Sequence, residues 1–177
     1  MNVIEIVRFD PGLDGSAAKS QALVLDLLRH TRAPFSRDQF TPGHITCTAL
    51  VRHPVNDSVL FMHHHRLHRW LLPGGHVEGS DPSLAAAAAR EALEETSVAI
   101  DLDTAPFLAG IDVHGIPPKR DEPFHLHHDL IWCFRALTDE IAESDEAPQV
   151  LWATAADWDR LAIAGSIRQS ILRSTCS

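Results

Sequence analysis

The sequence predicts an α/β fold, with helices and strands alternating around one sheet. Three observations carry this. Residues 44–52 and 126–134 alternate in side-chain character at the two-residue period of a strand. Residues 16–32 and 81–96 repeat apolar side chains at helical spacing. The two patterns follow one another along the chain and do not segregate into halves, which favours helices layered on a sheet.

Each element has a local cause. In residues 16–32, Leu23 with Leu27 and Val24 with Leu28 recur at spacing four; Ser16 is the expected N-cap, and Pro34 stops the helix. In residues 44–52, Ile45, Cys47, Ala49 and Val51 share one face. Asn56-Asp57-Ser58 is a turn, and residues 59–63 are a second strand, forming a hairpin with the first. Residues 73–80 read as a loop. Asp81 as N-cap and Pro82 as first residue open a helix to Thr96, with Ala85, Ala89, Ala92 and Leu93 on its apolar face. Residues 106–113 are a weaker strand, and residues 115–123 a proline-rich charged loop. In residues 126–134, Leu126, His128, Leu130, Trp132 and Phe134 face one way and His127, Asp129 and Ile131 the other. Residues 143–148 are an acidic loop, residues 150–152 a short strand, and residues 155–173 helical, with Leu161, Ile163, Ile167 and Ile171 on the apolar side.

The 177 residues suit one domain, residues 1–177, with a helical N-terminal extension over about residues 1–40. The net charge of −9 argues against a non-specific nucleic-acid binder, which needs a basic surface. It fits phosphate substrates only if a cation bridges them to an acidic site. Cys47, Cys133 and Cys176 form no Cys-x-x-Cys pair, so neither a disulfide framework nor a thiolate zinc site is indicated. No apolar run approaches the length of a membrane span, and no basic leader is visible; the expected location is cytoplasmic.

The chemistry-bearing stretch is Arg90-Glu91-Ala92-Leu93-Glu94-Glu95. At about 100° per residue, Glu91, Glu94 and Glu95 crowd one side of the helix. Three like charges there repel one another, and hard divalent cations such as Mg²⁺ or Mn²⁺ prefer oxygen ligands of this kind. Just upstream runs Trp70-Leu71-Leu72-Pro73-Gly74-Gly75-His76, a glycine loop leading into the carboxylate helix.

The stretch from Gly75 to Val98 resembles the Nudix box: a glycine, five residues, a glutamate, seven residues, then Arg-Glu-apolar-x-Glu-Glu-x-Gly-apolar. Arg90, Glu91, Ala92, Glu94, Glu95 and Val98 match in order and spacing. Two departures stand out. One extra residue lies between Gly75 and Arg90, placed most simply in Gly79-Ser80-Asp81, and Ser97 replaces the glycine that would cap the helix in a left-handed conformation.

The resemblance implies an α/β/α sandwich with a mixed central sheet. It implies Mg²⁺ or Mn²⁺ held by Glu91, Glu94, Glu95 and the Gly74 carbonyl. The implied reaction is hydrolysis of a pyrophosphate bond in a nucleoside diphosphate linked to another group. The implied catalytic set is Glu94, Glu146 and Arg90. Glu94 and Glu146 rank equally as the base, and Arg90 orients the glutamates. Gly75, His76, Arg66 and Arg69 are the candidates for substrate contact, and homodimers are common in the family.

Two rival functions remain at this level. One is a nucleotide sensor that keeps the fold without catalysis. The other is an isoprenoid diphosphate isomerase, which needs a protonating cysteine. The twelve histidines include His63-His64-His65, His68, His76 and the run His125-Leu126-His127-His128-Asp129. Imidazole suits zinc or nickel, but polar strand and loop positions account for most of them.

Overall fold

The computed structural model describes residues 3–65, 67–141 and 149–175. Its core is a seven-stranded mixed sheet. Strands β1 (Gly43–Arg52), β2 (Val59–His64), β3 (Arg69–Leu71), β5 (Phe107–Ile116) and β6 (His125–Arg135) lie in the order β3-β2-β1-β6-β5. The short β4 (Gly74–His76) pairs with β1, and β7 (Val150–Ala153) with β2. β1 and β6 run parallel, in register from Gly43↔Leu126 to Arg52↔Arg135. The other pairings are antiparallel.

Alternation along β1 and β6 divides the interior into two layers. Ile45, Cys47, Ala49 and Val51 of β1, with Leu130, Trp132 and Phe134 of β6, meet helices α1 (Ile4–Arg8), α2 (Gly15–His30) and α3 (Leu84–Thr96). Leu50, Ile131 and Cys133 point the other way, toward Leu161, Ile163 and Ile171, the last on α4 (Gly165–Ser174). The mixed sheet between helical layers is the α/β/α sandwich expected.

The N-terminal segment is packed into this frame. Ile6 and Val24 are fully buried. The Gln21 amide donates to the carbonyls of Ile6 (2.8 Å) and Phe9 (2.9 Å), satisfying acceptors at the end of α1. Asp14 caps α2 by accepting from Ser16 and Ala17 N–H, and pairs with Arg173 of α4 at 3.0 Å. Asp14 is therefore the N-cap, in place of Ser16.

Residues 73–80 are not all loop, because Gly74–His76 forms β4. The N-cap of α3 is Ser83, whose hydroxyl accepts from Ala86 N–H at 3.1 Å, not Asp81. Leu93 is exposed, and the buried face of α3 is Leu84, Ala85, Ala87, Ala88 and Ala92. Small alanines on that face let the helix axis approach the sheet closely. Residues 155–173 are not one helix. A 3₁₀ turn (Ala155–Asp157) precedes α4, and the chain between them passes through positive φ at Ala162. Leu161 and Ile163 are buried as loop anchors. The acidic loop at 143–148, Glu146 within it, Arg66 and Cys176 lie outside the described residues.

Candidate active site

The site is built where α3 passes under β4. Gly75 pairs with Cys47 of β1, and a Cβ at Gly75 would meet the Glu91 carboxylate at 2.6–2.7 Å. A Cβ at Gly74 would meet Thr48 Oγ1 and the Cys47 carbonyl at 2.7 Å. Two adjacent glycines thus let β4 lie against β1 above and a carboxylate below. The Gly74 N–H donates to Glu95 Oε2 at 2.9 Å, holding the second carboxylate at the same strand.

Arg90 organises the acids. Its Nε and Nη2 donate to the two oxygens of Asp81 (3.0 and 3.1 Å), a bidentate pair. Nη1 donates to Glu91 (3.0 Å) and Glu94 (3.2 Å), and Nη2 also donates to the His76 carbonyl (2.9 Å). A guanidinium has five N–H donors, and these bonds use all five. In this arrangement no Arg90 N–H is left free for a substrate.

Asp81, expected as a helix cap, instead anchors Arg90. Its side chain is 5% exposed and also accepts the Glu78 N–H at 2.8 Å. The hydrogen bond from Arg90 is the main cause that holds its carboxyl below the ordinary range. The signal was present: counted from Gly75, Asp81 stands at the first glutamate of the box pattern. Reading Asp81 as a helix cap, with the extra residue within 79–81, hid it.

Electrostatically the glutamates differ from Asp81. Burial pushes the Glu91 carboxyl up, against the opposing bond from Arg90. Burial also raises Glu95, with smaller contributions from Glu91 and Glu94, while the Gly74 N–H opposes the shift. Glu94 is the open member, its side chain 59% exposed. Partly buried carboxylates that disfavour one another's charge, in a hard-oxygen set, fit a divalent cation.

The remaining candidates fall elsewhere or on the opposite side of β4. His76 follows Gly75, so its side chain turns to the other face of the strand, with Thr46 opposite. Arg69 is exposed on β3, opposite His64 of β2. Cys47 is completely buried in the core, and burial raises its thiol far beyond the ordinary range. That placement denies it the protonating role an isomerase requires.

On the face carrying His76, β1, β5 and β6 contribute further polar groups. Thr46 and Thr48 hydroxyls donate to the Asp129 carboxylate at 2.8–3.0 Å. Burial raises the Asp129 carboxyl. His114 pairs with Asp112 at 3.0 Å, and that bond raises its imidazole.

Comparison with known proteins agrees with this architecture. The model of the NUDIX domain matches residues 44–171. No curated protein sequence matches significantly. Among solved structures, a MutT protein from Bacillus halodurans superposes with a TM-score of 0.52 at 21% identity, covering 75% of this chain and 82% of that one. The NUDIX domain of Shewanella oneidensis NrtR, complexed with ADP ribose, gives 0.53 at 18% identity, covering 85% and 96%. A NUDIX hydrolase from Nitrosomonas europaea gives 0.52 at 18% identity, covering 75% and 88%. The family match spans most of the chain, over the same strands and helix that build the carboxylate site: this protein belongs to the NUDIX family.

Proposed function

We propose that this protein is a Mg²⁺- or Mn²⁺-dependent hydrolase that cleaves a pyrophosphate bond in a nucleoside diphosphate linked to a second group. The observation that carries the reading is the pair Glu91 and Glu95, partly buried and held against Gly75 and Gly74, beside an Arg90 whose donors are all engaged. Glu91, Glu94, Glu95 and the Gly74 carbonyl would hold the cation. When bound, the ion neutralises phosphate charge, polarises phosphorus and lowers the pKa of a coordinated water.

The chain's own residues supply the rest. Arg90, anchored by Asp81, sets the spacing of Glu91 and Glu94. Water attacks phosphorus, the bridging P–O bond breaks, and a carboxylate takes the proton from the attacking water. Glu94 and Glu146 remain equal candidates for that base: Glu94 is the exposed box acid, and the role of Glu146 rests on its place in the sequence. Glu146→Gln should lower turnover sharply with metal affinity nearly unchanged if it is the base; unchanged turnover removes it.

The ADP ribose in the NrtR complex is a nucleoside diphosphate linked to a second group, and supports including that compound among the substrates tried. The testing experiment is product release from a panel of such compounds, with and without Mg²⁺. Metal-dependent release supports the hydrolase. Tight binding with no release from any compound favours the sensor.

A further inference from the structure

On the face of β4 away from the glutamates, three imidazoles converge from three strands. The side-chain ligand atoms of His44 (β1), His76 (β4) and His127 (β6) all lie within 4.8 Å of one another. Strand pairing produces this. His44 is in register with His127 across the parallel β1–β6 ladder, and His76 lies opposite Thr46, one step along the same face of β1. The ring centroids are 5.0 Å apart for His44–His76, 4.9 Å for His44–His127 and 5.5 Å for His76–His127.

His44 is 1% exposed. Its Nδ1 lies 3.1 Å from the Gln39 carbonyl, which can only accept, so Nδ1 carries the proton and Nε2 the lone pair. That Nε2 is buried without a hydrogen-bond partner. A buried lone pair facing no donor is costly unless something electrophilic meets it. An imidazole oriented by a backbone carbonyl through one nitrogen, with the other free, is the usual arrangement of a metal-ligating histidine.

We infer that His44, His76 and His127 form a second metal site, for a late first-row divalent ion with Zn²⁺ as the principal candidate, distinct from the carboxylate site on the other side of β4. Imidazole favours such ions over Mg²⁺. Asp129 and the His114–Asp112 pair share the face, so an added cation would meet compensating acid there. Three imidazoles leave the fourth position of a tetrahedral ion for an oxygen ligand such as water or a phosphate. Loading would also brace β4, since the His76 carbonyl accepts from Arg90 while its ring faces the histidines.

This site does not depend on the hydrolase reading, and its test reads metal and not turnover. The full chain is equilibrated with Zn²⁺ in a large excess of Mg²⁺, dialysed against the same Mg²⁺ buffer, and its bound zinc counted. The expected result is one zinc per chain. His127→Ala should lower zinc affinity by about 100-fold or more, and Glu95→Gln should leave it unchanged. X-ray absorption of the zinc-loaded wild type should show imidazole ligation at about 2.0–2.1 Å, a reading that needs no variant to fold. No zinc on the wild type, full affinity in a folded His127→Ala, loss in Glu95→Gln, or a ligand sphere without imidazole would each overturn the inference.

Discussion

Removing the Asp81 carboxylate should weaken both the fold and cation binding, and the structure sets the size of each effect. Asp81 accepts two bonds from Arg90 and one from the Glu78 N–H, with its side chain 5% exposed and that of Arg90 21% exposed. A fully buried ion pair loses about 3–5 kcal/mol when one partner is removed, and an exposed pair about 0–1 kcal/mol. Arg90 retains its bonds to Glu91, Glu94 and the His76 carbonyl, so Asp81→Ala should fall between these limits, at about 2–3 kcal/mol. Urea unfolding with an unchanged m-value measures it.

The pH dependence of that difference follows from the lowered Asp81 carboxyl. A depressed folded pKa gives stability that is complete above the unfolded value and disappears as pH falls through the folded one. The gap between wild type and Asp81→Ala should therefore hold from neutral pH down to the ordinary carboxylate range and shrink below it. The freed Arg90 donors should turn toward Glu91 and Glu94 and compete with the cation, lowering Mg²⁺ affinity by about 10-fold. A stability change below about 0.5 kcal/mol, with Mg²⁺ affinity intact, would refute the claim that Asp81 anchors Arg90.

Three further outcomes follow from the same geometry. Arg90→Lys keeps the charge but reduces five donors to three, so it should lower turnover by about 10-fold or more with KM nearly unchanged; a pure KM effect would place Arg90 on the substrate instead. Ser97 caps α3 at φ 57°, the left-handed region, so Ser97→Gly should stabilise by about 0.5–1 kcal/mol, read as a higher Tm; a lower Tm would contradict it. Burial raises Glu91 and Glu95, so protons bind them more tightly in the folded state. Lowering pH from neutral should thus favour the metal-free fold at these two groups and shrink the stabilisation that Mg²⁺ gives; a Mg²⁺-induced Tm shift that grows on acidification would be the opposite result.

What the sequence made legible was local. The β1 alternation and the turn at residues 56–58 each depend on residues within a few positions, and each lies where expected; the Arg90–Glu95 stretch is equally local and falls within α3. What was hidden depended on pairing at long range. His44 and His127 meet because β1 and β6 run parallel in one register, and no spacing in either segment reports that. Asp81 was misassigned because Asp-Pro opens a helix as readily as it ends a loop, and only the position of Arg90 distinguishes the two. The break before α4 was invisible because Leu161 and Ile163 are buried in a turn and Ile171 in a helix, which gives one apolar rhythm to two backbones.

If the carboxylates gathered at β4 hold a divalent cation for cleavage of a nucleoside diphosphate derivative, that cleavage must depend on both Mg²⁺ and Glu95. The most direct test is single-turnover product release from the best compound of the panel, comparing wild type and Glu95→Gln across a Mg²⁺ titration. Release should saturate with Mg²⁺ in the wild type and fall by about 100-fold or more in the variant. Release that ignores both Mg²⁺ and the substitution would contradict it.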